Sequence, residues 1–71
     1  MITEIGIAAG DIWHYLDQHG SSKLDKLTKD IDKPRDLLLM SLGWLAREGH
    51  IHLGHPETGY LATLKEKSIK K

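Results

Sequence analysis

The order of its apolar segments constrains this chain more than any other feature of the sequence. Apolar side chains recur at spacings of four, three and four across residues 5–16, which predicts one buried face of a first helix. Two shorter helical patterns follow across residues 24–48, and they meet at a corner that contains Pro34. Across residues 50–64, alternating apolar and polar residues flank a glycine-rich turn, which predicts a hairpin. The expected order is three helices followed by a two-stranded ribbon.

Local signals predict where the helices begin and end. Thr3 is the expected N-cap of the first helix, and Gly20 is the residue expected to terminate it. Ser22 and Asp25 have the spacing of a capping box at the start of the second helix. The third helix is expected to begin at Pro34 and to end at a glycine that follows Glu48.

Apolar stripes on the three helices and the hairpin predict a single small core. On the second and third helices the stripes are Leu24, Leu27 and Ile31, and Leu38, Leu42 and Leu45. Residues 21–23 form a short segment able to pair with the hairpin as a strand. On the returning strand, one face carries Tyr60, Ala62 and Leu64 and the other carries Leu61 and Thr63. The sequence leaves open which of these two faces points inward.

Length and composition allow one small domain. With 71 residues there is room for a single core across residues 1–64, followed by a basic tail across residues 65–71. The absence of cysteine excludes disulfides and thiolate metal sites and favours a reducing compartment. No apolar run approaches the ~20 residues of a membrane span, and the N-terminus lacks a signal-peptide pattern. We therefore expect a cytoplasmic protein that does not bind a membrane.

The charges are balanced overall but unevenly distributed. The formal net charge is zero, which argues against a strongly basic nucleic-acid binder. Residues 1–32 carry six acidic and three basic residues, 3 − 6 = −3, whereas residues 33–71 carry seven basic and four acidic ones, 7 − 4 = +3. The positive half contains the third helix, the hairpin and the tail. The alternative is that mixed surface charge only keeps a small domain soluble.

The third helix and its surroundings resemble a known family. One stretch resembles the point at which the recognition helix of a winged-helix domain ends and its wing begins. The residues that carry this resemblance are Leu38, Leu42, Leu45, Arg47, Glu48, Gly49 and Ile51. Residues 12–16 before a glycine, followed by residues 24–27, resemble the short stand-alone winged-helix proteins of unknown function found in bacteria and archaea. The resemblance covers about residues 4–64 and implies an α+β winged helix-turn-helix fold, with three helices and a small antiparallel β-hairpin wing. It implies a nucleic-acid-binding ancestry and specifies no target.

On this resemblance the third helix and the wing face nucleic acid, and double-stranded DNA is the expected partner. The candidate contacts to phosphate or groove edges are Lys33, Arg35, Arg47 and His55. The third helix offers few other side chains for this purpose, and Asp36 is repelled by phosphate. The leading hypothesis is a transcription-regulator-like module that acts as a homodimer. The alternative for each basic residue is ordinary solvated surface charge.

A competing hypothesis is a protein-interaction module on the same fold. Leu37, Met40 and Trp44 form an apolar ridge beside the core stripe of the third helix. They are either covered by the rest of the chain as core, or exposed as a protein interface, where Trp and Met are enriched.

A second possible interface lies on the first helix. Gly6 and Gly10 form a notch of small residues one turn apart, with Trp13 beside it. The notch accepts either the third helix of the same chain or a helix of a second copy.

Neither metal binding nor catalysis has a recognised motif in this chain. His50, His52 and His55 are close in sequence and of a type that binds zinc, but their spacing matches no known metal signature. A His-based metal sensor is therefore the least favoured hypothesis, and no metal or cofactor is predicted. No phosphate-cradling loop, nucleophile elbow or HExxH motif is present, so we predict neither an enzyme nor a small-molecule substrate.

Overall fold

A computed structural model describes residues 2–54 and 59–65 of the chain. The elements in chain order are α1 (Ile2–His19), β1 (Ser22–Lys23), α2 (Leu24–Asp30), α3 (Arg35–Arg47), β2 (Ile51–Gly54) and β3 (Leu61–Leu64). This order confirms the predicted three helices and hairpin, including the short strand before α2. Most of the predicted hairpin turn, residues 55–58, lies outside the described residues, as does most of the predicted tail.

One core joins the helices to the sheet. Its fully buried apolar side chains include Ile12, Leu16, Leu27, Leu38, Leu42, Leu45, Ile51 and Ala62. The predicted stripes of α1, α2 and α3 are therefore confirmed, because nearly all of their members lie in this cluster. Ala62 is 1 % exposed, which shows that its face of β3 points inward.

The sheet has three antiparallel strands in the order β1-β3-β2, so the last strand in sequence lies in the centre. Ser22 of β1 pairs with Ala62, and Ile51 of β2 pairs with Leu64. The backbone N–H of Leu24 donates to the carbonyl of Tyr60 at 3.0 Å, just before β3. The base of the wing is thereby attached to the first residue of α2.

A small buried residue allows α1 and α3 to pack closely. Ser41 is fully buried in α3, although the sequence pattern did not place it in the core. Its hydroxyl donates to the carbonyl of Leu37 at 2.8 Å and lies 3.2 Å from the carbonyl of Ile5 on α1. Ala8 and Ala9 are buried on α1. A side chain longer than serine at this position would push the two helices apart.

The predicted N-caps of α1 and α2 are wrong. Helix α1 already begins at Ile2, so Thr3 lies inside its first turn and is not the N-cap. The N-cap of α2 is Lys23, and no side chain caps that helix. The predicted capping box fails because Ser22 is buried in β1, where its hydroxyl donates to the carbonyl of Gly20 at 3.0 Å. The start of α2 is held by the wing rather than by a capping side chain.

The predicted helix ends agree better with the structure. Gly20 and Gly49 have φ values of 83° and 81°, the left-handed conformation that glycine adopts most readily after a helix. The predicted start of α3 at Pro34 is one residue early, because Pro34 is the N-cap and the helix begins at Arg35.

Polar side chains attach α1 to α2 and to the turn that follows it. The Tyr15 hydroxyl donates to Asp30 at 2.5 Å, and the ammonium of Lys26 lies 3.1 Å from the same carboxylate. These two donors hold the pKa of Asp30 below its usual value, and the carboxylate raises the pKa of Tyr15. Lys33 lies 3.3 Å from Asp11. Asp11 of α1 is thus paired with a lysine of the turn between α2 and α3.

Candidate nucleic-acid interface

The starts of α2 and α3 and the base of the wing surround one open cavity of about 160 Å³. It is lined by Lys23, Leu24, Asp25, Arg35, Gly59 and Tyr60. The first residues of the two helices lie side by side here, since the guanidinium of Arg35 is 3.9 Å from the carboxylate of Asp25, and the pairing of β1 with β3 brings the wing beside them. We call this surface the Arg35 face, after its one residue that the sequence predicted as a nucleic-acid contact.

The electrostatics of the Arg35 face allow a phosphate to approach. The guanidinium of Arg35 is 57 % exposed and lies 3.9 Å from the carboxylate of Asp25, which is still more exposed. Such an exposed ion pair is weak, so the guanidinium can exchange its carboxylate for a phosphate at little cost. The N-cap of α3 makes no side-chain hydrogen bond, and the N-terminal end of a helix favours anions. Asp36 in the first turn of α3 opposes this effect.

Of the other predicted nucleic-acid contacts, Lys33 and Arg47 do not lie on the Arg35 face. Lys33 is directed towards α1, where it pairs with Asp11, and its side chain is only 28 % exposed. Arg47 is exposed at the opposite end of α3, about 18 Å from Arg35 along the helix axis at 1.5 Å per residue. His55 lies outside the described residues. Of the three predicted residues that the structure describes, only Arg35 is grouped with the base of the wing.

Sequence reasoning missed Lys23 and Tyr60 as members of this face. The two residues are far apart in sequence, and they meet because Lys23 pairs with Leu61 across β1 and β3. The sequence did predict that residues 21–23 pair with the hairpin, which would bring Lys23 close to the wing. It did not predict the register of that pairing, so it could not identify Tyr60 as the residue beside Lys23.

The outward surface of α3 has little capacity to read bases. Its exposed positions are Arg35, Asp36, Leu39, Met40, Gly43, Trp44 and Arg47. Only arginine among these residues makes the bidentate contacts that identify a guanine in the major groove. Any recognition through this helix therefore depends mainly on phosphate contacts rather than on base contacts.

The apolar ridge of α3 is largely exposed. Met40 and Trp44 are 43 % and 46 % exposed, and Leu37 is half-buried. The alternative that α1 covers the ridge as core is therefore wrong for Met40 and Trp44, because α1 packs on the neighbouring Ser41 side of the helix. Most of the tail, which the sequence also offers as a cover, lies outside the described residues. The role of the ridge as a protein interface remains a prediction.

The notch on α1 is open. A Cβ atom added to Gly6 or Gly10 would meet no described neighbouring atom within 4 Å, so α3 does not fill the notch. A cavity of about 260 Å³ lies between these glycines and Trp13 on one side and Trp44 and His50 on the other. We call it the α1–α3 groove. The alternative that the third helix of the same chain occupies the notch is wrong.

The histidines give no support to a metal site in the described part of the chain. Among residues 2–54 and 59–65, no group of three or more histidine, cysteine or acidic side chains could hold a metal ion. The His50 ring lies beside the indole of Trp44, with centroids 6.2 Å apart, and His52 is exposed on β2. The third histidine of the proposed set, His55, lies outside the described residues.

Comparison with known families identifies the fold from the sequence independently of these contacts. A family model described as a winged helix-turn-helix domain (DUF2582) matches residues 1–66. Comparison with curated proteins and with solved structures gives no significant match. None of the described helices is long and apolar enough to cross a membrane. Domains of the matched class are typically non-enzymatic DNA-binding modules. With its three helices and small antiparallel sheet, the chain belongs to the winged helix-turn-helix domain family DUF2582.

Proposed function

We propose that this chain is a cytoplasmic, transcription-regulator-like module that binds double-stranded DNA through the Arg35 face. The observation that carries the proposal is the convergence of both motif helices and the wing at one open, concave surface that contains Arg35 and Lys23. In winged helix-turn-helix domains these are the elements that contact DNA. The family match supports a nucleic-acid-binding module in general, and the proposal adds the duplex and the face.

The proposed contacts are mainly to phosphate. Arg35 and Lys23 supply the cations, and the phenol of Tyr60 supplies a hydroxyl at the base of the wing. Lys33 contributes little because Asp11 already neutralises it. About two to three phosphate contacts give a slope of roughly −2 to −3 in the logarithm of affinity against the logarithm of salt concentration. Binding is therefore weak and only slightly dependent on sequence.

Fluorescence anisotropy tests the proposal directly. A labelled duplex of about 20 base pairs with random sequence is titrated with the full chain at about 50 mM and about 200 mM salt. Affinity should fall between the two salt concentrations. Arg35→Ala should weaken binding about five-fold at the lower salt and reduce the magnitude of the salt slope by roughly one.

Lys26→Ala is the matched control. It removes the same charge from an exposed side chain, but the ammonium of Lys26 pairs with Asp30 beside α1 and does not line the Arg35 face. Its affinity should stay within about two-fold of the wild-type value. Equal weakening by Arg35→Ala and Lys26→Ala would show that only net charge matters. Absence of binding at about 10 μM protein and low salt would reject DNA as the partner.

A second candidate function is protein–protein interaction without DNA binding. It is supported by the exposure of Met40 and Trp44, large apolar side chains that are adjacent on α3. An interface of this kind persists at high salt, whereas binding to phosphate does not.

A further inference from the structure

The Arg35 face carries an exposed aromatic ring as well as cations. Of the four Trp and Tyr residues in the chain, Trp44 and Tyr60 are the two that are exposed. Tyr60 is 45 % exposed and lines the cavity of the Arg35 face together with Lys23 and Arg35, whereas Trp44 lines the α1–α3 groove. The proposed phosphate contacts use the hydroxyl of Tyr60 and give its ring no role.

The backbone of Tyr60 is fixed against the helix-turn-helix. Its carbonyl accepts the N–H of Leu24 at 3.0 Å, and the next residue, Leu61, pairs with Lys23 across β1 and β3. A Cβ atom added to the preceding Gly59 would meet no described atom within 4 Å, so the cavity is open on the side of the wing. The ring is therefore attached at a defined place on the face, which lowers the cost of ordering it when a ligand binds.

The volume of the cavity matches a single flat ring. It is about 160 Å³, and a cavity of about 150 Å³ holds one benzene molecule. Sites that enclose drug-sized ligands start at about 300 Å³. The buried side chain of Leu24 contributes an apolar surface beside the Tyr60 ring. A pyrimidine base has the size and the apolar faces that this space accepts.

We propose that the Arg35 face binds one unpaired nucleobase against the ring of Tyr60, so that the preferred ligand is duplex DNA with a single-stranded overhang. This inference rests on the proposed DNA binding through the same face. Inside a duplex, stacked neighbours cover both faces of every base, so a base reaches the ring only when it is unpaired. Lys23 and Arg35 contact the phosphates that adjoin this base. Cations beside an exposed aromatic ring are the combination that binds single strands in proteins.

The charges of the Arg35 face alone attract DNA only weakly. Lys23, Arg35 and the carboxylate of Asp25 line the cavity. Beside it, the exposed Lys29 follows Asp25 by one turn of α2, and the exposed Asp36 lies in the first turn of α3. These described groups are three cations and two carboxylates, a net charge of +1. Base stacking adds a contribution that salt screens little, because the stacked rings carry no net charge.

Fluorescence anisotropy with three labelled DNAs tests the inference. All three contain the same duplex of about 20 base pairs, and they differ in ending bluntly, in an overhang of about four thymidines, or in an abasic overhang of equal length. The full chain should bind the thymidine overhang about ten-fold more tightly than the blunt duplex, at about 50 mM and at about 200 mM salt. The abasic overhang has the same phosphates without the bases, so its affinity should stay within about three-fold of the blunt duplex.

Variants of Tyr60 separate the ring from the hydroxyl. Tyr60→Phe keeps the ring and should keep the ten-fold preference for the thymidine overhang within about two-fold. Tyr60→Ala should reduce the preference to that of the abasic DNA, and circular dichroism checks that this variant folds. The matched control is Ile7→Ala, which removes an exposed apolar side chain from α1, away from the Arg35 face, and should leave the preference unchanged.

The outcomes distinguish this inference from the proposed function. Equal affinity of the wild-type chain for the thymidine and abasic overhangs would overturn the inference, as would loss of the preference in Tyr60→Phe. Salt-dependent binding of the blunt duplex that Arg35→Ala weakens would still support the proposed function in either case. Binding of the thymidine overhang without measurable binding of the blunt duplex at about 10 μM protein would support the base site and reject the duplex as a sufficient partner.

Discussion

The contact between α1 and α3 depends on the small size of residue 41 rather than on its hydroxyl group. Ser41 is fully buried, and its hydroxyl donates to the carbonyl of Leu37 and lies near that of Ile5, each of which already accepts a backbone hydrogen bond within its own helix. Ser41→Ala therefore loses one hydrogen bond worth about 1 kcal/mol and leaves no buried polar group without a partner. The higher helix propensity of alanine also raises the free energy of unfolding by about 0.5 kcal/mol. The expected net loss of unfolding free energy is about 0.5 kcal/mol.

Ser41→Leu provides the contrast. The larger side chain must displace α1, whose Ile5 carbonyl lies 3.2 Å from the serine hydroxyl, and overpacking of this kind costs about 3 kcal/mol. Urea unfolding followed by circular dichroism measures both variants at one protein concentration, so that any dimerisation affects them equally. A loss of more than about 2 kcal/mol in Ser41→Ala would refute the reasoning, because the hydroxyl itself would then hold the helices together. So would a Ser41→Leu variant of wild-type stability.

Two further predictions concern the polar link and the core. The hydrogen bond from Tyr15 lowers the folded-state pKa of Asp30, so its contribution to stability is present above the unfolded pKa of about 4 and is lost as pH falls through the folded value. Tyr15→Phe should therefore reduce stability near pH 6 and flatten its decline towards pH 2.5, as measured by urea unfolding at several pH values. If the two pH profiles run parallel, the link does not affect stability. Leu38→Ala should cost about 3 kcal/mol, whereas Leu39→Ala, next to it but on the exposed side of α3, should cost less than about 1 kcal/mol in the same assay. Similar losses in both would contradict the packing of α3.

The fold could be predicted because its signals are local and repeated. The leucines at positions 38, 42 and 45 share one side of any helix, and all three are buried in the structure. Gly20 and Gly49 each follow a helix and adopt the positive φ that their type allows. Signals of this kind need no knowledge of distant residues. They therefore give the order of the elements and most of the core directly.

The candidate site could not be predicted to the same extent, because it depends on contacts between residues far apart in sequence. Lys23 reaches the Arg35 face through the register of β1 on β3, which no local pattern specifies. The sequence alone suggests that Lys33 is free to contact phosphate, yet in the structure its ammonium pairs with Asp11 of α1. The capping box at Ser22 failed for the same reason, since the partner strand buries that residue. In each case a tertiary contact overrides a plausible local role.

The central position of β3 has a consequence for how the domain folds. Strand β1 precedes α2 and α3, but its pairing partners are Leu61 and Ala62, about forty residues later in the chain. During synthesis from the N-terminus, β1 therefore remains without a partner strand until those residues have emerged. Closing a loop of that length carries an entropic cost that the local helical contacts do not. The three helices can associate early, whereas completion of the sheet, and with it the attachment of the wing to α2, is expected to limit the rate of folding.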